Sequence, residues 1–344
     1  MSLLATASVV LAGAPACSLV PAEDAPADVR PRVVRGEADS VLAISIDGMS
    51  VAAVRRLGRA QLPNLYRFVR AGASTMNART EREMTVTLPN HTGMVTGRRI
   101  DASKGGHGVT WNDNRLTPST VQAAAGTEIG SVFDVVDAAG GSTALFAAKT
   151  KFTLWQRSWP DAIDVTAVDE DNSALVDRLI ADLDTDRDFR FLHLSPPDVA
   201  GHASGWMSRP YLRAVRRADA LVGRVVKAVN ADPLRKAGTT IVLTSDHGGH
   251  AGLSEHDNAR LLDDYRVVFM ARGAGVGRGV DLYAINPTYR DPGTRRTVYG
   301  MRRPPVRNGM VANLALDLLD LDAVPGSEHN VLLDLDVTDD APTG

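Results

Sequence analysis

Val41-Leu42-Ala43-Ile44-Ser45-Ile46-Asp47-Gly48 is an apolar run of strand length that ends on a carboxylate and a glycine. Six such residues without polar alternation suit a strand covered on both faces, as in a parallel sheet, and Asp-Gly after them marks a turn. Two helical stretches follow, at 51–57 and 63–71. The alternation continues outward with a helix at 131–139, a strand at 143–147, a helix at 174–183 and a strand at 189–195. A long helix at 211–229, strands at 239–244 and 265–271, and a closing helix at 306–319 complete it. This order predicts an α/β fold with a mainly parallel central sheet and helices on both faces, in a single catalytic domain. There is no internal repeat, and no helical pattern follows the glycines at 273, 275, 277 and 279, which therefore read as a surface loop rather than a nucleotide loop.

Composition narrows the function classes. Of the 344 residues, 44% are hydrophobic and 23% charged, which excludes a disordered or fibrous chain. A net charge of -3 and 5% aromatic residues argue against a nucleic-acid surface, which needs clustered cations and stacking rings. Residues 3–13 (LLATASVVLAG) are apolar but too few to span a bilayer, and Ala14-Pro15-Ala16 precedes Cys17. Residues 1–17 are expected to be a signal peptide of secretory or lipoprotein type, with Cys17 as the candidate lipid anchor and an exported product. Residues 18–38 read as a proline-containing linker and 39–344 as the catalytic domain. Cys17 is the only cysteine, so neither an internal disulfide nor a cysteine zinc site is available.

Polar residues just beyond the carboxyl ends of parallel strands are where ligands bind in open α/β sheets. Three such places stand out: Asp47 after the first strand, Asp198 and His202 after FLHLS, and Asp246-His247 after TTIVLTS. Read singly, Asp47 is a turn residue and Asp198/His202 a solvated helical pair. Together they supply the oxygen and nitrogen ligands that Zn²⁺ accepts in the absence of cysteine. Thr87 precedes Leu88-Pro89 and a helical stretch, so it is either an N-cap or a nucleophile at a helix N-terminus that favours an anion.

In these segments the chain resembles the type I phosphodiesterase and nucleotide pyrophosphatase family of the alkaline phosphatase superfamily. The matching pieces are Ser45-Ile46-Asp47-Gly48, Thr87-Leu88-Pro89-Asn90-His91 with Val95-Thr96-Gly97, His107-Gly108-Val109, Pro197-Asp198 with Gly201-His202, and Ser245-Asp246-His247-Gly248. The resemblance implies an alkaline phosphatase-like fold and two Zn²⁺ ions. One is bound by Asp47, Asp246, His247 and the Thr87 oxygen, the other by Asp198, His202 and a later histidine. Among His250, His256 and His329, the family's spacing to the following strand selects His256, with Phe269 thirteen residues beyond it. The resemblance also implies that Asn112 holds a phosphate oxygen. Three aspartates and a threonine alkoxide balance two zinc charges, so a neutral amide suffices for a phosphodiester, whereas a monoester dianion gains from an added cation. Lys149 and Lys151 are the tentative substrate-binding cations, or else a solvated strand end. Nucleotide-cleaving relatives often carry an aromatic residue where Leu88 stands; Trp111, Phe152, Trp155 and Trp206 are the other candidates for an aromatic wall.

The expected activity is hydrolysis of a phosphodiester or phosphoanhydride of a small phosphorylated substrate, through a covalent intermediate on Thr87. Phosphomonoester or carbon–phosphorus hydrolysis on the same scaffold is the alternative, and an inactive metal-binding surface protein the non-enzymatic one.

Overall fold

The computed structural model describes residues 37–258 and 260–338. The leader, Cys17 and all of the linker except Glu37 and Ala38 lie outside these residues, and Ala38 is buried in the core.

Eight strands form one sheet: β1 (Ser40–Ile46), β2 (Ala73–Arg79), β3 (Thr143–Ala147), β4 (Val165–Val168), β5 (Phe189–Leu194), β6 (Thr239–Thr244), β7 (Arg266–Gly273) and β8 (Val280–Asp281). Their order is β4-β3-β5-β1-β6-β7-β2-β8. β1 pairs in parallel with β5 and β6, and β3 with β4 and β5, whereas β7 pairs antiparallel with both β6 and β2. The sheet is thus mainly parallel, as the alternation predicts. Period-2 geometry divides the apolar strands between two cores. Val41, Ala43, Phe189, Phe191 and Val242 face one, which the closing helix Val311–Leu318 covers. Leu42, Ile44, Ile46, Leu192, Leu194 and Leu243 face the other, beneath α1 (Val51–Gln61), α2 (Leu65–Ala71) and the long helix Arg209–Val229. Among the described residues no helix is long and apolar enough to cross a membrane.

Two strands depart from a plain parallel repeat. The 265–271 run forms the strand read from it, but β7 returns antiparallel because the segment between β6 and β7, whose one helix among the described residues is the short Leu262–Tyr265, does not cross the sheet. β2 (ASTMNAR) was not anticipated, since its polar content hides a strand that pairs on both sides.

β2 leads through residues 80–86 into α3 (Thr87–Thr96), and Glu81 anchors this passage. Its amide donates to Asn90 Oδ1 at 2.9 Å, and its buried carboxylate pairs with His329 Nε2 at 2.9 Å and accepts from the Tyr299 hydroxyl. His329, one of the three candidates for the last zinc ligand, is therefore buried against Glu81. Burial alone would raise the Glu81 pKa, but His329, Arg307 and Tyr299 hold it down to about 2. A carboxyl depressed in the fold contributes stability above its ordinary pKa of about 4.5 and loses it as pH falls toward 2. Glu81→Gln is expected to flatten the acid limb of the stability profile between pH 4.5 and 2. Parallel urea titrations of the two proteins across that window check this, and an unchanged slope would contradict it.

Candidate metal centre and active site

The carboxyl ends of the adjacent strands β3, β5, β1 and β6 deliver the polar residues. Asp47 directly follows β1; Asp198 and His202 lie on the helix Pro196–Ser204 that begins after β5; Asp246 and His247 follow β6; Lys149 follows β3. Gly48 is required at its position: φ is +67°, and a Cβ there would stand 2.9 Å from the Asp198 Cα. Its amide donates to Asp246 Oδ1 at 3.0 Å, so the turn after β1 ties the three aspartate segments together.

Asp47, Asp246, His247 and Asp198 are almost completely buried, at 0%, 0%, 0% and 3% exposure. Ligand atoms of Asp47, Asp246 and His247 gather within 4.8 Å of one another, and those of Asp198, His247 and His256 do the same. His202 Nε2 stands 3.4 Å from Asp198 Oδ1 and 3.2 Å from His256 Nε2. His250 is excluded from the cluster: it is half exposed and its Nδ1 lies 3.1 Å from Asp263.

The ring nitrogens are assigned by what they face. His247 Nδ1 meets the Gly248 carbonyl at 2.8 Å and His256 Nδ1 the Thr85 carbonyl at 2.6 Å. A carbonyl only accepts, so each Nδ1 is a donor and each Nε2 is the nitrogen turned to the carboxylates, the one a metal would take. His91 follows the same rule, donating from Nδ1 to Thr87 O while Nε2 accepts from the Ser45 hydroxyl, both at 2.8 Å.

The electrostatics are those of a cation site. Burial, and then the charges of Asp47 and Asp198, push the Asp246 pKa well up. Burial would also raise Asp47, but Lys149 and then His193 and His247 hold it low. His247, which burial alone would lower, is raised to about 9 by Asp246 and Asp47. Lys149 Nζ lies 2.5 Å from Asp47 Oδ2 and 2.6 Å from Asp198 Oδ2, so it contacts one carboxylate of each cluster. Even so, Asp47 Oδ1, Asp198 Oδ1, Asp246 Oδ2, His247 Nε2 and Thr87 Oγ1 are buried without a hydrogen-bond partner. Buried polar atoms are rarely orphaned in native folds, and an all-carboxylate, imidazole and hydroxyl donor set suits a divalent metal. The residues fit zinc.

Thr87 opens α3 as its first residue; Val86 supplies no side-chain cap, and the Leu88 amide donates to Asn112 Oδ1 at 3.0 Å. Lys151 reaches Asn112 rather than the acidic cluster. The four candidate wall aromatics, Trp111, Phe152, Trp155 and Trp206, are all buried.

Sequence reasoning missed two residues. His193, inside β5, accepts from the Ala148 amide at Nδ1 and donates from Nε2 to Asp47 Oδ2 at 2.9 Å, orienting that carboxylate. A lone histidine within FRFLHL, in register with Ser45 beside Asp47, was the available signal. Asn308 donates to the carbonyls of Ser245 and Asp246 from a distant segment that carries no local signature.

The type I phosphodiesterase / nucleotide pyrophosphatase family model matches residues 41–300. Ectonucleotide pyrophosphatase/phosphodiesterase family member 1 of Rattus norvegicus is 25% identical over 252 residues, covering 69% of this chain and 26% of that protein. The Homo sapiens counterpart is 24% identical over 231 residues, covering 63% and 24%. The chain thus spans about a quarter of the length of these curated relatives. Among solved structures, an inactive threonine-to-alanine variant of murine ectonucleotide pyrophosphatase/phosphodiesterase 5 in complex with AMP superposes with a TM-score of 0.61 at 15% identity, covering 85% of this chain and 97% of that one. The human protein 5 gives 0.59 at 14% identity, with the same coverage.

Lys149 is the nearest counter-charge to two buried carboxylates, and removing one partner of such a pair leaves an uncompensated charge. In protein stripped of metal by chelation, Lys149→Met is expected to lose about 3 kcal/mol of unfolding free energy. Equal urea midpoints for the chelated wild type and variant would show that Lys149 does not balance the cluster.

Proposed function

Because this chain belongs to the type I phosphodiesterase / nucleotide pyrophosphatase family, we propose that it is an exported two-zinc phosphohydrolase that cleaves a phosphodiester or phosphoanhydride through a covalent threonine intermediate. The observation that carries this reading is the set of five buried, partnerless donor atoms on Asp47, Asp198, Asp246, His247 and Thr87. The leader-like residues 3–13 support export.

Asp47, Asp246, His247 and the Thr87 hydroxyl would hold one zinc, and Asp198, His202 and His256 the other. When bound, the ions supply Lewis acidity, easing ionisation of a hydroxyl and neutralising phosphoryl charge. Thr87 Oγ attacks phosphorus, the bond to the leaving oxygen breaks, and the threonine proton passes to solvent. Water then cleaves the phospho-threonine ester and restores the hydroxyl. The first turn of α3 favours an anion at Thr87 through its helix dipole, and the Asn112 amide donates to a phosphoryl oxygen. The murine neighbour, an inactive threonine-to-alanine variant in complex with AMP, supports a threonine nucleophile and a small phosphorylated substrate.

One observation favours a second reading. Lys149 adds a positive charge beside the carboxylates, which suits a monoester or phosphonate dianion better than a diester. Rates on bis-p-nitrophenyl phosphate, p-nitrophenyl phosphate, thymidine monophosphate p-nitrophenyl ester and phosphonoacetate separate the two. The diester substrates are expected to lead, and a monoester preference of about a hundredfold would reverse the assignment.

Thr87→Ala is expected to abolish turnover while keeping bound zinc, and Thr87→Ser to retain a measurable part; a Thr87→Ala protein as fast as wild type would reduce Thr87 to a helix start. Chelation should stop the reaction, with Zn²⁺ restoring it better than Mg²⁺ because imidazoles are among the ligands. For the last ligand, His256→Ala is expected to bind about one zinc and His250→Ala two. Zinc stoichiometry measured side by side decides between them, and the opposite result transfers the role to His250.

A further inference from the structure

The two lysines of Lys149-Thr150-Lys151 have different partners. Lys149 turns to Asp47 and Asp198, while Lys151 Nζ donates, among the described residues, to Asn112 alone, at 2.7 Å from its main-chain carbonyl and 2.9 Å from its side-chain Oδ1. Oδ1 also accepts the Leu88 amide at 3.0 Å, the first amide after Thr87. Two donors on one oxygen fix which way the Asn112 amide points, because the flipped group would set its NH₂ against an ammonium and an N–H. The Asn112 NH₂ has no hydrogen-bond partner among the described residues, so it is the half of the amide left free for a ligand. The turn that carries Lys151 is itself rigid: the next residue, Phe152, is fully buried with its ring centroid 4.4 Å from that of His193 and 4.8 Å from that of Trp155.

We propose that Lys151 is a positioning residue that clamps Asn112 by both of its oxygens and thereby aims the Asn112 NH₂ at a phosphoryl oxygen held beside Thr87. This deepens the phosphohydrolase reading and rests on it. Lys151 does not touch the substrate; its effect passes through Asn112. The neighbouring Lys149 cannot replace it, since its ammonium is committed to the two aspartates 2.5 and 2.6 Å away.

A double-mutant cycle on the zinc-loaded protein tests this, with calorimetric binding of inorganic phosphate as the readout. Phosphate reports on the amide regardless of which ester the enzyme cleaves. Asn112→Ala and Lys151→Met are each expected to weaken phosphate binding about tenfold, the worth of a charge-assisted hydrogen bond or its alignment. The double variant is expected to bind within about threefold of Asn112→Ala alone, because the two changes remove one interaction. Lys151→Arg, which keeps the donors, should restore most of the affinity. Multiplicative losses in the double variant would mean that Lys151 meets phosphate directly, and wild-type affinity in Lys151→Met would mean that it positions nothing; either result overturns the proposal. Should Lys151→Met fail to give a cooperative thermal transition, Lys151→Gln carries the same cycle. A wild type that binds phosphate but cleaves no diester fails the functional reading alone and leaves the cycle to judge Lys151.

Discussion

Three carboxylates buried side by side are the constraint around which this molecule is organised. Asp47, Asp198 and Asp246 are nearly without solvent, at the ends of three adjacent strands. Like charges in such surroundings repel strongly and lack hydration, so they persist only where cations meet them. The neighbours answer that demand: Lys149 bridges two of the three, His247 is drawn toward its protonated form, and Asp246 is pushed toward its neutral one. The orphaned oxygens that remain are the part of the demand that the protein does not meet with its own groups. An acidic cluster that keeps unsatisfied lone pairs in a buried cradle is arranged for metal.

Packing holds the cluster against its own repulsion. Trp206 donates its indole N–H to the Gly48 carbonyl at 3.1 Å, and Gly249 lies so close to its ring that a Cβ would meet the indole at 2.2 Å. One side chain therefore joins the turn after β1, the helix bearing Asp198 and His202, and the loop after His247. Tyr211, the first aromatic of the long helix, adds a hydroxyl to the same Gly48 carbonyl at 2.8 Å. Local loosening at Trp206 would be felt by all three segments at once, because its ring packs on Gly201, Gly249 and the turn at Gly48.

How far the sequence revealed this depends on what each signal encodes. β1, β5 and β6 were legible as short, mainly apolar or β-branched runs of strand length, which suit two covered faces, and the polar residues after each run then lie at the sheet's rim. Direction was not legible in β7, whose apolar run reads the same in either sense; only the loop that precedes it decides. β2 and the buried His329 were hidden for a related reason, since both draw their burial from partners more than a hundred residues away. Asp47, Asp198, Asp246 and His247 were found from position and chemistry. His193 was passed over because its neighbours are apolar and its partner, Asp47, follows another strand.

The choice among histidines has the clearest physical content. His250 is the closer to His247 in sequence, and both it and His256 belong to one loop, so proximity along the chain favours neither. What separates them is burial and reach: His256 is 4% exposed and gathers with Asp198 and His247, whereas His250 stays at the surface. In His247 and His256 a main-chain carbonyl takes the Nδ1 proton and turns Nε2 toward the cluster, and the two rings stack at 3.6 Å with both Nε2 atoms facing the Asp198 carboxylate. His250 is half exposed, its Nδ1 lies 3.1 Å from Asp263, and it shares no carboxylate with His247. The backbone of Thr85, two residues before Thr87, thus selects the tautomer of His256. By the same hydrogen bond it ties that imidazole to the segment that starts α3, so the proposed ligand and the proposed nucleophile are set in place by a single short stretch of chain.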